Sequence, residues 1–427
     1  MENRKFKKAL ALALAAAMTT GLAGCAGGSS DEGGSDSSET KTIYIYQKKV
    51  EIDEGLKTLT EKYTETHPDV EFRIESTSND YYTGLKTKFA GGGAPDIFSI
   101  DGYSDIITWQ TYLADLSGEE WVGDIIDAAQ EMMTTEDGKT YAFPLAVEGS
   151  GYMYNVDLFE QAGITEMPTT PGGLQEMVAA LEEAGVCDYA LIENYNEYYQ
   201  PANFFLNYAI AAQDDPLALI DQLNNGEADL VNNEYFNQFA DFLMTESELC
   251  NNETTTDFNT QTSNFATGRA AMTFGGNWAQ PTMDDVNPDL NLALTPVPVF
   301  EDAAKNDSIY ISASYWGVNK ESEVYDEVLE FLNWLATDPE GQAGITDTLQ
   351  LIPGFTSFEA NDETIGTLGR SVADYISEGK VLGIYSAYYP DGGLETLGNV
   401  VCEYIAGQMS KEEFLQAIED EWYNLAQ

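Results

Sequence analysis

Three short runs decide the fold: TIYIY at Thr42–Tyr46, VEFRI at Val70–Ile74 and PDIFSI at Pro95–Ile100. They are rich in β-branched and aromatic residues, which favour strands. Two segments with the apolar spacing of amphipathic helices separate them, at 51–66 and 81–89. This β-α-β-α-β order predicts an α/β fold with a mostly parallel sheet flanked by helices.

The residues that follow these strands form the first candidate site. Ligands of open α/β sheets bind beside the carboxyl ends of the strands. Gln47 follows the first run, and Asp101 and Tyr103 follow the third. We therefore expect these three side chains at a ligand. Asp101 has an alternative role as the N-cap of a helix that begins near Ser104.

Later in the chain, strands and helices continue with two interruptions. A mostly apolar strand at Ala142–Val147 is followed by Glu148 and a second strand-like run at Gly151–Tyr154. Another strand occupies Ile309–Val318. The sequence Pro296-Val297-Pro298 interrupts the pattern once more. From Glu321 onward the chain is mainly helical. Strands and helices thus alternate on both sides of these interruptions. This pattern predicts two lobes, with the chain crossing between them more than once.

The N-terminal region has the features of an export signal. Four basic residues precede an apolar run of about ten residues, which is too short to span a membrane as a helix. It ends in Leu22-Ala23-Gly24-Cys25, which resembles the bacterial lipobox. That resemblance implies removal of residues 1–24 as a signal peptide and acylation of Cys25. Gly, Ser and acidic residues make up most of residues 25–40, which predicts a flexible tether after Cys25.

Composition excludes several functions. The net charge of −54 would repel nucleic acid and anionic lipid head groups. Few arginines remain in the body to hold phosphate or polycarboxylate ligands through paired hydrogen bonds. A metal centre is not expected, because His67 is the only histidine and no metal-type spacing occurs. No cofactor motif occurs either. Cys187, Cys250 and Cys402 are either three buried thiols or one disulfide and one thiol.

Several ordered motifs resemble one protein family. They are Tyr81–Ala90 with Ala94–Phe98, Phe143–Glu148 with Tyr152–Phe159, Phe265–Met272 with Gly275–Trp278, and Gly317–Lys320. Each is weak alone, but their order and spacing over Thr42–Gln427 resemble the extracellular solute-binding proteins, family 1, of ABC transporters. The maltose-binding proteins belong to this family.

The resemblance implies a two-lobed clamp of the periplasmic-binding-protein type (type II), which closes on a ligand and then docks on a permease. It implies that lobe 1 comprises 41–147 plus 300–353 and that lobe 2 comprises 148–299 plus 354–427. The expected protein is a monomeric lipoprotein, anchored at the outer face of the membrane, that carries a sugar or short oligosaccharide to permease subunits.

The same resemblance assigns ligand contacts. In maltose-binding relatives, a tryptophan at the position of Trp278 stacks on sugar, and carboxylates at the positions of Asp101 and Glu148 accept hydroxyl hydrogen bonds. Glu148 has hinge hydrogen bonding as its alternative role. Weaker candidates are aromatic residues that either contact ligand or pack in the interior: Tyr199, Trp316, Tyr385 and Tyr388.

Two other functions stay open at this stage. The excess of carboxylates fits a cationic ligand such as a polyamine. Asp101 and Glu148 also fit the carboxylate pair of a glycoside hydrolase, although no nucleophile motif accompanies them and their place beside a hinge would disturb a fixed separation. We therefore expect a binding protein and not an enzyme.

Overall fold

The computed structural model describes residues 40–77, 81–135, 137–250 and 256–427. The signal segment, Cys25 and the tether up to residue 39 lie outside these ranges. In the described part, nine strands form one sheet. Their bounds are β1 Lys41–Gln47, β2 Val70–Ser76, β3 Ile97–Ile100, β4 Ala142–Asn155, β5 Tyr189–Leu191, β6 Ala270–Gly276, β7 Leu292–Thr295, β8 Ile309–Val318 and β9 Val381–Gly383.

Helices cover both ends of this sheet. The α-helices are α1 Asp53–Thr66, α2 Tyr81–Ala90, α3 Tyr103–Trp109, α4 Asp127–Met133, α5 Val156–Gln161, α6 Pro171–Ala184, α7 Leu206–Ala211, α8 Pro216–Asn225, α9 Glu234–Leu249, α10 Phe258–Ala266, α11 Gln280–Val286, α12 Tyr325–Thr337, α13 Pro339–Ala343, α14 Gly366–Ser377, α15 Gly393–Ile405 and α16 Lys411–Ala426. Short 3₁₀ or π segments lie at Val50–Ile52, Glu120–Asp124, Pro201–Phe205, Asn277–Ala279, Ala303–Lys305, Gly344–Thr348 and Tyr385–Tyr388.

The parallel pairing predicted for the first three strands is confirmed. β1 pairs in parallel with β2, beginning at Lys41 and Val70, and with β3, where Ile45 lies opposite Ile97. The connections are α1 and α2, as the β-α-β-α-β order requires. The carboxyl ends of β1 and β3 therefore lie side by side, which places the residues after them at one edge of the sheet.

Two long strands, β4 and β8, join the halves of the molecule. They pair antiparallel from Ala142 opposite Gly317 to Ser150 opposite Tyr310. The carboxyl end of β8 continues onto β3, and the carboxyl end of β4 continues onto β6 and β7. The two runs predicted at Ala142–Val147 and Gly151–Tyr154 form one strand, because Glu148–Ser150 between them pair with β8. The result is a two-stranded ribbon shared by both halves.

The buried apolar residues form two large cores at opposite ends of this ribbon. The first core draws its residues from 43–145 and 315–355, and the second core draws them from 152–310 and 384–422. This arrangement of an α/β core at each end of crossover strands is the two-lobed clamp of the periplasmic binding proteins. The lobe boundaries drawn from the sequence stay a prediction.

Candidate binding site between the two cores

Gln47 ends β1 and is fully buried. Its Nε2 donates to the carbonyl of Lys49 and to Oγ of Ser76, both at 2.7 Å, and its Oε1 accepts from the backbone N–H of Lys49 at 3.0 Å. Both ends of the amide are thus used inside the protein. Gln47 thus fixes the turn that carries Lys48 and Lys49, and its contact with a ligand stays a prediction.

Asp101 lies at the carboxyl end of β3, with 49% of its side-chain surface exposed. Its Oδ1 forms an ion pair with Lys48, and its Oδ2 accepts a hydrogen bond of 2.7 Å from the Tyr82 hydroxyl. The N-cap of α3 is Gly102, so Asp101 does not cap that helix. Desolvation raises the pKa of Asp101, but Lys48 and Tyr82 more than offset it and hold that pKa below its usual value.

Glu148 lies on β4, half-buried, where the ribbon passes the end of β1. Its Oε1 is 2.8 Å from Nζ of Lys49, and that nitrogen is also 2.8 Å from Oε1 of Glu51. Burial lowers the pKa of Lys49, but the charges of Glu148 and Glu51 dominate and raise it above its usual value. Glu148 therefore joins the ribbon to the turn after β1 through an ion pair.

Trp278 follows β6 and is half-buried. Its indole stacks on Phe204, with ring centroids 5.5 Å apart and planes 18° apart. Phe204 in turn packs against Phe274 of β6, at 5.1 Å. The Trp278 ring is thus flat, partly exposed and packed on a second aromatic ring. Rings of this kind stack on the C–H face of a sugar. We call Trp278 and Phe204 the tryptophan platform.

The glycine and asparagine before Trp278 hold this platform against the ribbon. A Cβ on Gly276 would lie 2.2 Å from Cζ3 of Trp278 and 2.4 Å from the carbonyl oxygen of Gly149, so only glycine fits. Oδ1 of Asn277 accepts from the backbone N–H of Gly149 at 2.8 Å. Because Gly149 adjoins Glu148 in the chain, the platform and the Glu148 ion pair are close neighbours.

A second aromatic group lies where the two cores approach each other. Tyr103 stacks on Tyr388, with centroids 4.7 Å apart, and Tyr388 stacks on Tyr385 at 6.1 Å. All three rings are partly exposed. Tyr388 packs against both the first and the second core. The backbone N–H of Tyr385 donates to Asn207 Oδ1 at 2.6 Å, which fixes this segment on α7.

The last two aromatic candidates differ in position. Tyr199 has 55% of its surface exposed. The charges of Lys48 and Asp101 act on its hydroxyl, so this side chain faces the Lys48–Asp101 ion pair from the side of the second core. Trp316 is 1% exposed in the first core and stacks on Phe143. β8 turns this side chain inward, where it fills the core, and contact of Trp316 with a ligand stays a prediction.

Sequence reasoning missed three participants: Lys48, Lys49 and Phe204. Lys48 and Lys49 directly follow the first strand, at the edge where Gln47 was expected to act, so their position was a usable signal. Phe204 carried no signal, because its partner Trp278 is distant in the sequence. Within the described ranges, no group of His, Cys, Asp and Glu is placed to hold a metal ion.

Together these side chains present aromatic faces on two sides of paired charges. The carboxylates of Asp101 and Glu148 accept hydrogen bonds, while the ammonium groups of Lys48 and Lys49 donate them. Such a set is chemically suited to a ligand with many hydroxyl groups and apolar ring faces. In the part of the chain that the structure describes, no helix is both long and apolar enough to cross a membrane.

Comparison with known proteins agrees with this arrangement. The family described as bacterial extracellular solute-binding protein matches residues 48–342. The melibiose/raffinose/stachyose-binding protein MelE of Bacillus subtilis is 22% identical over 95% of this chain and 93% of its own length. The diacetylchitobiose-binding protein DasA of Streptomyces coelicolor is 23% identical over 83% of this chain and 84% of its own.

Solved structures share the fold. A sugar transporter protein of Bacillus licheniformis in complex with stachyose superimposes with a TM-score of 0.69 at 21% identity, covering 90% of this chain and 100% of the other. The apo form of RafE from Streptococcus pneumoniae gives a TM-score of 0.72 at 15% identity, covering 93% and 100%. Since the family match covers more than half of the sequence, the chain belongs to the bacterial extracellular solute-binding proteins.

Proposed function

We propose that this protein captures a short oligosaccharide between its two cores and delivers it to the permease of an ABC importer. The observation that carries the proposal is the tryptophan platform beside the ion-paired Glu148, with Asp101 and Lys48 at the neighbouring strand ends. Sugars need this combination of a flat apolar face and fixed hydrogen-bonding groups. The names of MelE and of the stachyose-bound relative support a saccharide as the ligand class.

The charge arrangement argues against the two alternatives. A cationic ligand needs unpaired carboxylates, yet Asp101 and Glu148 are already paired with Lys48 and Lys49. In a glycoside hydrolase built on Asp101 and Glu148, one of the two would have to keep its proton, whereas the pKa of Asp101 is lowered and Glu148 is paired with Lys49. Both features fit charged acceptors for sugar hydroxyls.

Calorimetric titration with melibiose, raffinose and stachyose, and with spermidine for comparison, tests the ligand class. Trp278→Ala should weaken binding of the preferred sugar by about tenfold or more, because it removes the stacking face. Trp334→Ala is the matched control: Trp334 is also half-buried and stacks on a phenylalanine, Phe331, but on α12 at the first core. Tight spermidine binding, or equal sugar affinity in both variants, would contradict the proposal.

We further propose that the mature chain is a monomer held at the outer face of the membrane by acyl chains on Cys25. Two acyl chains suffice for stable anchoring without a transmembrane helix. The variant Cys25→Ala should move the protein from the membrane fraction to the soluble one without changing its sugar affinity. A variant that stayed in the membrane fraction would refute the anchor.

A further inference from the structure

The hydroxyl of Tyr82 lies between two carboxyl groups. Its oxygen is 2.7 Å from Oδ2 of Asp101 and 2.5 Å from Oδ2 of Asp105. A phenol has one proton and donates it to one acceptor at a time. The other oxygen–oxygen contact, at hydrogen-bond distance, needs a second proton. That proton has to be carried by one of the two carboxyl groups.

The surroundings decide which carboxyl group carries it. Asp101 is paired with Lys48, which comes from the segment after β1. Asp105 is half-buried in the first turn of α3, where its Oδ2 also accepts from the backbone N–H of Asp101 at 2.7 Å. Tyr82 on α2, Asp101 and the more distant Lys48 are the charged or titratable groups that act on it. Glu131 on α4 acts instead on Tyr385 and Tyr388.

We propose that Asp105 is a positioning residue for Asp101: it donates its proton to Tyr82, Tyr82 donates to Asp101, and sugar binds most tightly while Asp105 holds that proton. This inference rests on the proposed function, because it takes Asp101 as the acceptor of a sugar hydroxyl. In support, burial and the charge of Asp101 raise the pKa of Asp105 to about 6, within the range that cells and buffers cover.

The direction of the effect follows from the charges. Once Asp105 ionises, two carboxylates compete for one phenol and one ammonium group. A bound sugar excludes water from this recess, which makes the second negative charge more costly. Sugar binding therefore raises the pKa of Asp105, and by reciprocity the protonated protein binds sugar more tightly. An increase of one pKa unit corresponds to an affinity about tenfold weaker at high pH than at low pH.

Calorimetric titration of the whole protein with raffinose or stachyose, whichever binds, measures this coupling. Titrations from about pH 5 to about pH 8, in buffers of different ionisation enthalpy, give both the affinity and the protons taken up. The wild type should take up a proton on binding and lose about tenfold in affinity toward high pH. Asp105→Asn has no proton to gain or lose at this position, so its affinity should be independent of pH and its binding should occur without proton uptake.

Two further variants isolate the cause. Tyr82→Phe removes the relay and should weaken binding at low pH. Glu246→Gln removes another carboxyl group with a pKa near neutrality, in the second core, and should keep the wild-type pH profile. A pH-independent affinity in the wild type, or a wild-type profile in Asp105→Asn, would overturn the inference while leaving the proposed function intact.

A measurement without sugar separates the two proposals fully. Carbon-detected NMR of the aspartate carboxyl groups in the free protein should show Asp105 titrating near pH 6. Titration of Asp105 at an ordinary aspartate pKa of about 4 would refute its role whatever the protein binds. Failure of every sugar to bind, with Asp105 titrating near 6, would refute the proposed function and with it the sugar-linked part of this inference.

Discussion

Replacing Glu246 with glutamine is expected to stabilise this protein at neutral and higher pH. Glu246 lies on α9, fully buried in the second core. It accepts hydrogen bonds from the hydroxyls of Tyr152 and Tyr195, the latter at 2.8 Å. Among the described residues, no lysine or arginine forms an ion pair with it. Burial consequently raises its pKa to about 7, even though the two tyrosines lower it.

The magnitude follows from the two states of this carboxyl group. In the unfolded chain this carboxyl group ionises near its ordinary pKa of 4.5. In the folded protein its pKa is about 7, so it keeps its proton up to about that pH. Between these values the folded state binds one more proton, so the free energy of unfolding falls as pH rises, by about 1.4 kcal/mol per pH unit. The loss over the whole window is about 3 kcal/mol. Glutamine has no such proton and keeps a hydrogen-bonding partner for each tyrosine.

Urea unfolding followed by circular dichroism, from about pH 4.5 to about pH 8, measures the difference between variant and wild type. That difference should favour Glu246→Gln increasingly with pH and then level off above pH 7. Glu248→Gln is the matched control, because Glu248 is exposed on the same helix. It should shift stability by less than about 0.5 kcal/mol at every pH. A Glu246→Gln difference that does not change with pH would refute the reasoning.

Three other outcomes are expected. Gly276→Ala should weaken sugar binding about tenfold or more in calorimetry, because its Cβ would lie 2.4 Å from the Gly149 carbonyl oxygen. In the control Gly172→Ala the new Cβ has no atom within 4 Å, so sugar affinity should stay unchanged. Equal losses of affinity in the two variants would contradict the role of Gly276. Gln47→Ala should lower the free energy of unfolding by about 2–3 kcal/mol in urea titrations, because it removes the hydrogen bonds to Ser76 and to the backbone of Lys49. An unchanged free energy of unfolding would show that Gln47 does not stabilise this turn. Cys187, Cys250 and Cys402 are free thiols, so a reducing agent should leave the thermal midpoint unchanged, and a lowered midpoint would reveal a disulfide.

Local pattern was sufficient for much of the fold. The strands β1, β2 and β3 follow from short β-branched runs bounded by helix stops and glycines, and β8 matches its predicted bounds, Ile309–Val318. The pattern failed at β4, where Gly149-Ser150-Gly151 resembles a break. There the glycine is required by packing: a Cβ on Gly151 would lie 2.4 Å from the carbonyl oxygen of Thr295 on the neighbouring β7. A neighbour far away in the sequence decided the conformation.

The candidate site was predictable where position along a strand decides exposure. Asp101 and Trp278 follow strands, and both side chains are at least partly exposed. Gln47 and Trp316 also lie at or near strand ends, but their burial depends on Ser76 and Phe143, which the sequence does not place beside them. The pairing of each carboxylate with a lysine was likewise invisible, because it depends on where the turn after β1 meets β3 and β4.

The discontinuity of the first core has a consequence for the order of folding. This core combines residues 43–145 with residues 315–355, and β8 supplies the partner of β3. A growing chain that has reached residue 300 therefore holds β3 with one edge unpaired. It also lacks the core residues that 315–355 supply, and it closes that core only across a long loop. Such late closure makes folding slow. The first core accordingly stays incomplete until residue 355 of the 427 has been made.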